Sequence, residues 1–430
     1  MGKRILAITY YSLPVEAPGS FRVDSFAKWL PSYGYEVDVI APGWHLSTPD
    51  TLQTEGYIKA HLNNSDASPV GRVYYLPIEP FLNEDEQWRD PLSRCFFLYN
   101  KRIVNAFLSY AKYLHKTFQY DLLLVSSPPQ ISMVAAGARI SEALGIPFIV
   151  DKRDVLYQLD NLVRLSLRAA PLKTRLGEVI RIISRQRARK IKFDTELCNK
   201  ALFTITVSKG LADIMRSRGV NNVEEILNGY EEEEFNIAPI REMGFNIQYF
   251  GSIYPEADLT PLIDGVELFL QNNQNAVGKF FVTFMGWNCK ARIANERMGI
   301  YGRNVILAKD AAPKKEAIAR MLGSDILLHL SLPRTTGIFT SKLSEYIGAC
   351  KPILSIPGDG DVVDSLIYGF GVGQSLSKPL EIAAFLGDAY RLWESGSPLE
   401  EKIDKTKRAM FSRRIQAEHL AHMIDEYLSG

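Results

Sequence analysis

Cysteine is scarce. The 430 residues hold four, Cys95, Cys198, Cys289 and Cys350, far apart and never in a CxxC pair. That spacing offers neither a disulfide framework nor a zinc site, and it fits a reducing compartment. The six histidines have no metal-ligand spacing. His419 and His422 stand three apart on a late helical stretch without a third partner and read as surface residues, so no metal is expected. No apolar run approaches the ~18 residues of a membrane-spanning helix. The apolar stretch at Ile5–Ile8 is too short for a secretory signal, and Leu6 stands where a myristoylation signal has Ser or Thr. A net charge of +1 makes no global case for a nucleic-acid partner. GxGxxG is missing, which weakens a dinucleotide-cofactor reading. There are no short tandem repeats and no low-complexity tract. The expectation from these absences is a cytoplasmic protein with no metal, no cofactor and no nucleic acid.

What is present is an alternation of short apolar runs and helical periods. A single core rarely grows beyond ~250–300 residues, so a chain of this length reads as two domains. Arg4–Thr9, Glu36–Ile40, Leu122–Val125, Pro147–Val150 and Leu202–Val207 read as strands, with a Pro/Gly loop over Tyr10–Ser20 and helices from Phe21 and over Ile131–Leu144. A second series has strands at Ile247–Phe250, Phe280–Met285, Val305–Leu307, Ile326–Leu330 and Ile353–Ile356. Its helices lie around Leu259–Leu270, Pro313–Leu322 and Ser341–Ala349. Strands alternating with helices make parallel sheets with right-handed crossovers. The fold class is therefore α/β, two doubly wound, Rossmann-like domains with the joint near Asn236–Gly244. Arg413–Leu428 reads as a final helix with Ile415, Leu420, Ile424 and Leu428 on one stripe. Ligands in such sheets bind outside the carboxyl ends of the strands, and two facing domains share a cleft.

One segment carries a specific resemblance. Gly337-Ile338-Phe339-Thr340-Ser341-Lys342-Leu343-Ser344-Glu345-Tyr346 through Lys351-Pro352-Ile353-Leu354 is similar to the Gly-x-x-Pro-Ser-Lys-x-x-Glu-Tyr…Gly-Lys-Pro-Val-Leu motif of glycosyltransferase family 4, in its bacterial polysaccharide and O-antigen branch. Weaker matches fall in order: Arg22 after the first loop, Asp151-Lys152-Arg153-Asp154 after a strand, Val207-Ser208-Lys209-Gly210-Leu211, Asn228-Gly229, and Phe250-Gly251-Ser252. The stretches 43–120 and 155–195 are poorly covered. The resemblance implies a GT-B fold: residues 1–240 an acceptor-side domain, 241–410 a nucleotide-sugar domain, and 411–430 a helix packing back on the first domain. It also implies retaining transfer of a sugar from a nucleoside diphosphate to an acceptor hydroxyl, in polysaccharide or glycolipid synthesis. UDP is the family-weighted donor, and the acceptor is a sugar or a lipid-linked sugar.

By that resemblance Glu345 accepts hydrogen bonds from the donor ribose, each charge-assisted. It is expected near the start of the helix after Thr340; the bland alternative is a first-turn Glu favoured by the helix dipole. Lys342 and the N–H groups of Thr340, Ser341 and their neighbours form a diphosphate site, or else Lys342 is a solvated surface cation. Gly337 stands where the wider family has a first glutamate, and Ser252 and Ala257 stand where many members have Arg and Lys. Leaving-group charge must then fall to Lys342, Arg334 or Arg22, with Gly251 and Ser252 supplying close backbone and a hydroxyl. Gly19 and Arg22 belong to the acceptor-side loop. Arg153 and Asp154 are the catalytic candidates, against a mutual ion pair of little worth. Two other function classes stay open: a glycosyltransferase-like binding protein without activity, and a nucleotide-sugar epimerase of the same architecture. Residues 164–192 pair an apolar stripe (Leu172, Leu176, Val179, Ile180, Ile183) with a basic end (Arg181, Arg185, Arg187, Arg189, Lys190, Lys192). That is either a packed helix with a basic solvent face or a peripheral contact with the inner membrane face, the former favoured.

Overall fold

The structure, a computed structural model, describes residues 2–12, 18–43, 72–76, 100–127, 131–153, 188–254, 257–295, 302–332, 337, 339–397, 399 and 405–429. The chain divides into two compact units, Met1–Leu227 with Arg413–Gly430, and Asn228–Ser412.

The first unit is built on seven parallel strands: β1 (Lys3–Thr9), β2 (Tyr35–Pro42), β3 (Arg72–Leu76), β4 (Leu122–Ser127), β5 (Phe148–Lys152), β6 (Thr204–Thr206) and β7 (Val223–Glu225). Their order is β3-β2-β1-β4-β5-β6-β7. β1 shows why the sequence reads as a continuous apolar run. Leu6 and Ile8 enter one core, while Ile5 and Ala7 enter the core on the opposite face. Both faces are dry, so neither tolerates polar alternation. Helices α2 (Lys101–Phe118) and α3 (Ile131–Leu144) cover the first face. On α2, Ile103, Phe107, Tyr110 and Leu114 recur at three to four residues, and the Asn100 side chain caps the start by accepting from Arg102 N at 2.9 Å. Helix α1 (Pro18–Trp29) and the last helix of the chain (Arg413–Ser429) cover the second face through Val23, Phe26, Ala417, Leu420 and Ile424. Tyr427 stacks on Phe203 with centroids 4.5 Å apart, and Tyr35 donates to Asp425 at 2.5 Å.

The second unit repeats the plan with six parallel strands: β8 (Phe245–Phe250), β9 (Phe280–Met285), β10 (Ile306–Lys309), β11 (Ile326–Leu330), β12 (Ile353–Ile356) and β13 (Gly373–Ser375), in the order β10-β9-β8-β11-β12-β13. Leu262, Val266 and Phe269 of one helix (Thr260–Asn272) and Ile382, Leu386 and Tyr390 of another (Pro379–Glu394) pack on one face against Phe245, Ile247 and Tyr249. In each sheet the strand order reverses once, between β1 and β4 and between β8 and β11. At such a reversal the following loops part and leave a crevice at the carboxyl ends.

Three expectations are corrected. The joint expected at Asn236–Gly244 lies inside the second unit, where Ile240 N bonds Ala319 O at 2.8 Å and Glu234 pairs with Lys314. The loop expected to run to Ser20 ends earlier, because α1 starts at Pro18 and holds both Gly19 and Arg22. β5 runs on through Asp151 and Lys152, so these two charges are buried strand residues. Residues 164–187 of the basic amphipathic stretch lie outside the described residues, and 188–192 belong to a helix over 188–198. Among the described residues no helix is long and apolar enough to cross a membrane.

Candidate functional site

The crevice between β8 and β11 in the second unit is where the motif residues meet. The chain leaves β8 through Gly251 and Ser252, and it leaves β11 through the segment that leads to helix α4 (Ser341–Ala349). Lys342, in the first turn of α4, reaches back across the crevice. Its Nζ sits 3.8 Å from the centroid of the Tyr249 ring, a cation–π contact. A Cβ placed on Gly251 would lie 3.1 Å from that nitrogen. Gly251 has φ of +106°, which L side chains avoid, so both conformation and space call for glycine. Tyr249 is fixed by donating to Ser252 O at 2.6 Å, and Tyr346 on α4 accepts from Phe250 N at 3.0 Å. The two edges of the crevice are thus cross-braced.

The electrostatics are unusual for a lysine. Part of the residue reaches the surface. Burial nonetheless pulls the ammonium pKa down to about 7, with Glu345 and Cys289 acting the other way. His329, on β11, is held neutral: burial pushes its pKa down to about 3, the Lys342 charge adds to this, and Nδ1 contacts Ser355 Oγ at 3.1 Å. Thr340 precedes α4 without a side-chain cap, and its Oγ1 is buried with no hydrogen-bond partner among the described residues. A desolvated cation, an unused hydroxyl and a helix amino terminus converge. That arrangement suits a polyanion such as a diphosphate.

Glu345 is the fifth residue of α4, one turn later than expected, and is partly buried. Gly337 has φ of +75°, and its N–H donates to the Asp361 carboxylate. Asn228 donates to Phe339 O at 3.0 Å, and Ser344 donates to Asn228 O at 2.9 Å, which anchors the start of α4. Arg334 and Asp154 lie outside the described residues.

Sequence reasoning overlooked the loop after β9. Asn288, at φ of +59°, accepts from Ile253 N at 3.0 Å and donates to Ile253 O at 2.8 Å, tying this loop to the one after β8. A Cβ on Gly286 would lie 2.4 Å from Gly251 O. The signal was a glycine at a strand end, but its reason is backbone contact with a residue 35 positions earlier in the chain (286 − 251). Gly286→Ala should destabilise the protein by ~3 kcal/mol, since backbone must move to admit the methyl. It should also shift Gly251 and weaken anion binding. Chemical denaturation and an anion titration of the same variant check both parts.

In the first unit, Arg22, assigned to the acceptor-side loop, is held inside the protein. It is buried, its Nε contacts Asp151 Oδ1 and Oδ2 at 3.0 and 3.1 Å, and its two other nitrogens donate to Leu227 O at 2.8 Å and Ile226 O at 2.9 Å. It braces α1 against the end of β5 and the Ile226–Leu227 backbone that follows β7. Lys152 is likewise buried, 2.5 Å from Asp194. Arg153 follows at the carboxyl end of β5, with its guanidinium against Gly19.

No family model and no curated protein matches the sequence. Solved structures do. The chain is similar to Anabaena HepE in complex with UDP and glucose, at 14% identity over 99% of this chain and 100% of that one, with a TM-score of 0.60. It is similar to a glycosyltransferase from Rickettsia africae, at 12% identity over 99% of each chain and a TM-score of 0.60. It is also similar to a UDP-N-acetylglucosamine 2-epimerase, so described with "putative" in its name, from Listeria monocytogenes, at 8% identity over 100% and 97% and a TM-score of 0.54. At these identities the likeness defines the fold. The protein has the GT-B architecture, two Rossmann-like domains each on a parallel sheet.

Proposed function

We propose that this protein is a glycosyltransferase that takes a UDP-sugar, with the diphosphate seated in the crevice between β8 and β11. The observation that carries the reading is Lys342: a buried ammonium on the Tyr249 ring, beside Gly251, at the amino end of α4. Burying a cation is costly unless something repays it. A diphosphate would, because its charge grows as the glycosidic bond breaks and fixed donors stabilise the departing group. Thr340, Ser341 and Ser252 add hydroxyls and amides, and Glu345 takes the ribose hydroxyls. The HepE complexes with UDP and UDP-glucose support UDP as the nucleotide.

The finer reading follows the sequence resemblance. Transfer is retaining, of the family 4 kind, to a sugar or lipid-linked sugar in the synthesis of polysaccharide or glycolipid at the cell surface. Double displacement would need two carboxylates ~5 Å apart. The motif supplies one carboxylate, Glu345, which favours same-face attack assisted by the leaving phosphate. Asp154 remains the proposed partner of the acceptor hydroxyl.

A panel of nucleoside diphosphates and nucleotide sugars in a thermal-shift assay tests this. UDP and UDP-sugars should raise the melting temperature, and Glu345→Ala should abolish most of that shift by removing the ribose contact. A panel without any shift, or an unchanged shift in Glu345→Ala, counts against the site. The likeness to the Listeria epimerase favours a second reading. UDP-N-acetylglucosamine incubated without acceptor would then yield an inverted sugar, not transfer or hydrolysis.

A further inference from the structure

The sheet of the second unit is apolar on one face and carries buried polar side chains on the other. Ile247 and Tyr249 of β8, Val282 and Phe284 of β9, and Leu328 of β11 belong to the apolar core. Side chains alternate along a strand, so Asn246, Gln248, Thr283 and His329 leave the opposite face. All four are buried. Two of them have found partners. Asn246 donates to Met243 O at 2.9 Å and to Gly244 O at 3.0 Å, and His329 contacts Ser355 Oγ at 3.1 Å. The other two have none among the described residues. Gln248 is 0% exposed, and neither its Oε1 nor its Nε2 makes a hydrogen bond. Thr283 is 1% exposed, and its Oγ1 makes none.

These two residues are neighbours. Gln248 on β8 stands opposite Thr283 on β9, and paired strands lie ~4.8 Å apart, so the two side chains rise side by side. Their rung of the sheet continues to Leu307 on β10 and to Leu327 on β11, which offer nothing polar. An amide and a hydroxyl are thus adjacent, unbonded to each other and flanked by leucines. Leaving three such atoms dry would be costly, and native interiors avoid it. Whatever satisfies them must both donate and accept, because Oε1 only accepts and Nε2 only donates. A metal ion donates no proton. The rung holds no ionisable group to balance an ion of either sign. Among the described residues no three His, Cys, Asp or Glu side chains gather to hold a metal. Water has the required chemistry: it is neutral, small, and donates and accepts at once.

We propose that Gln248 and Thr283 form an internal water site on the β8–β9 pair, holding on the order of two molecules. One joins the amide nitrogen to the Thr283 hydroxyl, and another donates to Oε1. Gln248 and Thr283 each stand three residues before a glycine, Gly251 and Gly286 (251 − 248, 286 − 283). Those glycines are where the loops that follow the two strands touch. The water therefore ties β8 to β9 just beneath the contact that shapes the crevice. The site does not depend on which nucleotide the crevice takes.

Oxygen-17 magnetic relaxation dispersion of the full chain tests the proposal, since it counts water molecules held longer than the protein takes to tumble. Gln248→Leu combined with Thr283→Val nearly keeps the shape of both side chains and removes all three polar atoms. That variant should lose about two long-lived waters relative to wild type, and a loss of at least one supports the site. Equal counts in the two proteins overturn it. A crystal structure of wild type gives the answer independently should the variant fail to fold. Water oxygens within ~3.2 Å of Gln248 Nε2 or Oε1 and of Thr283 Oγ1 support the site. A Gln248 amide bonded directly to Thr283 Oγ1 or to backbone, with no water beside it, overturns it.

Discussion

Lys342→Met should cost UDP binding about a hundredfold while leaving the free protein as stable as wild type, or more so. The two halves of that result have one cause. In the free protein the ammonium is enclosed, and burial brings its pKa down to about 7. The unfolded chain holds the same proton up to a pKa near 10.5, so between those values unfolding takes up protons and stability rises with pH. Below pH 7 the burial penalty is present in full. Methionine fills a similar volume beside Tyr249 without a charge to desolvate, so that penalty disappears. Binding is the reverse case. Truncating one partner of a buried charge pair costs ~2–5 kcal/mol, and ~3 kcal/mol is about a hundredfold in affinity. Thermal melts with and without UDP check both halves. A variant that is less stable and binds UDP normally would mean that Lys342 is a packing residue.

The same ammonium predicts a pH dependence. A bound diphosphate stabilises the protonated form and raises its pKa, so binding above pH 7 must take up a proton. UDP affinity in wild type should be highest below pH 7 and fall by up to about tenfold per unit above it, until the pKa of the complex is reached. The terminal phosphate of UDP, with a second pKa near 6, is already ionised over that range. In Lys342→Met the profile should be flat between pH 7 and 9. Calorimetry in two buffers of different ionisation enthalpy would register the proton directly.

How much of this could be read in advance varies with range along the chain. Strands β9, β11 and β12 and the helix Ser341–Ala349 match the expected bounds, because each is a local pattern: an apolar run or a helical period ended by Cys350 in the left-handed region. β7 (Val223–Glu225) and β13 (Gly373–Ser375) were not read as strands. Each is three residues long with little apolar content, and pairing with Thr204–Thr206 and Ile353–Ser355 is what makes them strands. Helix α2 was overlooked although Ile103, Phe107, Tyr110 and Leu114 form a plain stripe, since it falls in a stretch the resemblance hardly covers. The site shows the same division. Lys342 and Glu345 were legible as a motif, but the Tyr249 ring under the ammonium and the glycine pair Gly251–Gly286 arise from strands distant in sequence. Arg22 reads as a ligand contact of the acceptor-side loop, and nothing local announces a carboxylate 129 residues away.

Asp151→Asn should destabilise the first unit by ~3–5 kcal/mol, the usual cost of leaving one member of a buried ion pair behind. Asp151 is 0% exposed and Arg22 is 6% exposed, so water cannot take over from the lost carboxylate. Burial already holds the Arg22 pKa below its usual value, against the pull of Asp151. Removing that pull leaves the full desolvation penalty with no return. A double change to matched apolar residues, Arg22→Met with Asp151→Leu, removes both charges and should recover part of the loss. It should not recover all of it, because Arg22 also donates to Ile226 O and Leu227 O, and a buried carbonyl left without a donor costs ~1–3 kcal/mol. The two units have separate cores, so their unfolding need not stay coupled. A melt of Asp151→Asn should split, with an early transition that ignores UDP and a later one that UDP moves upward. If the early transition were the UDP-sensitive one, the nucleotide would belong to the unit that Arg22 braces, and the site at Lys342 would have to be abandoned.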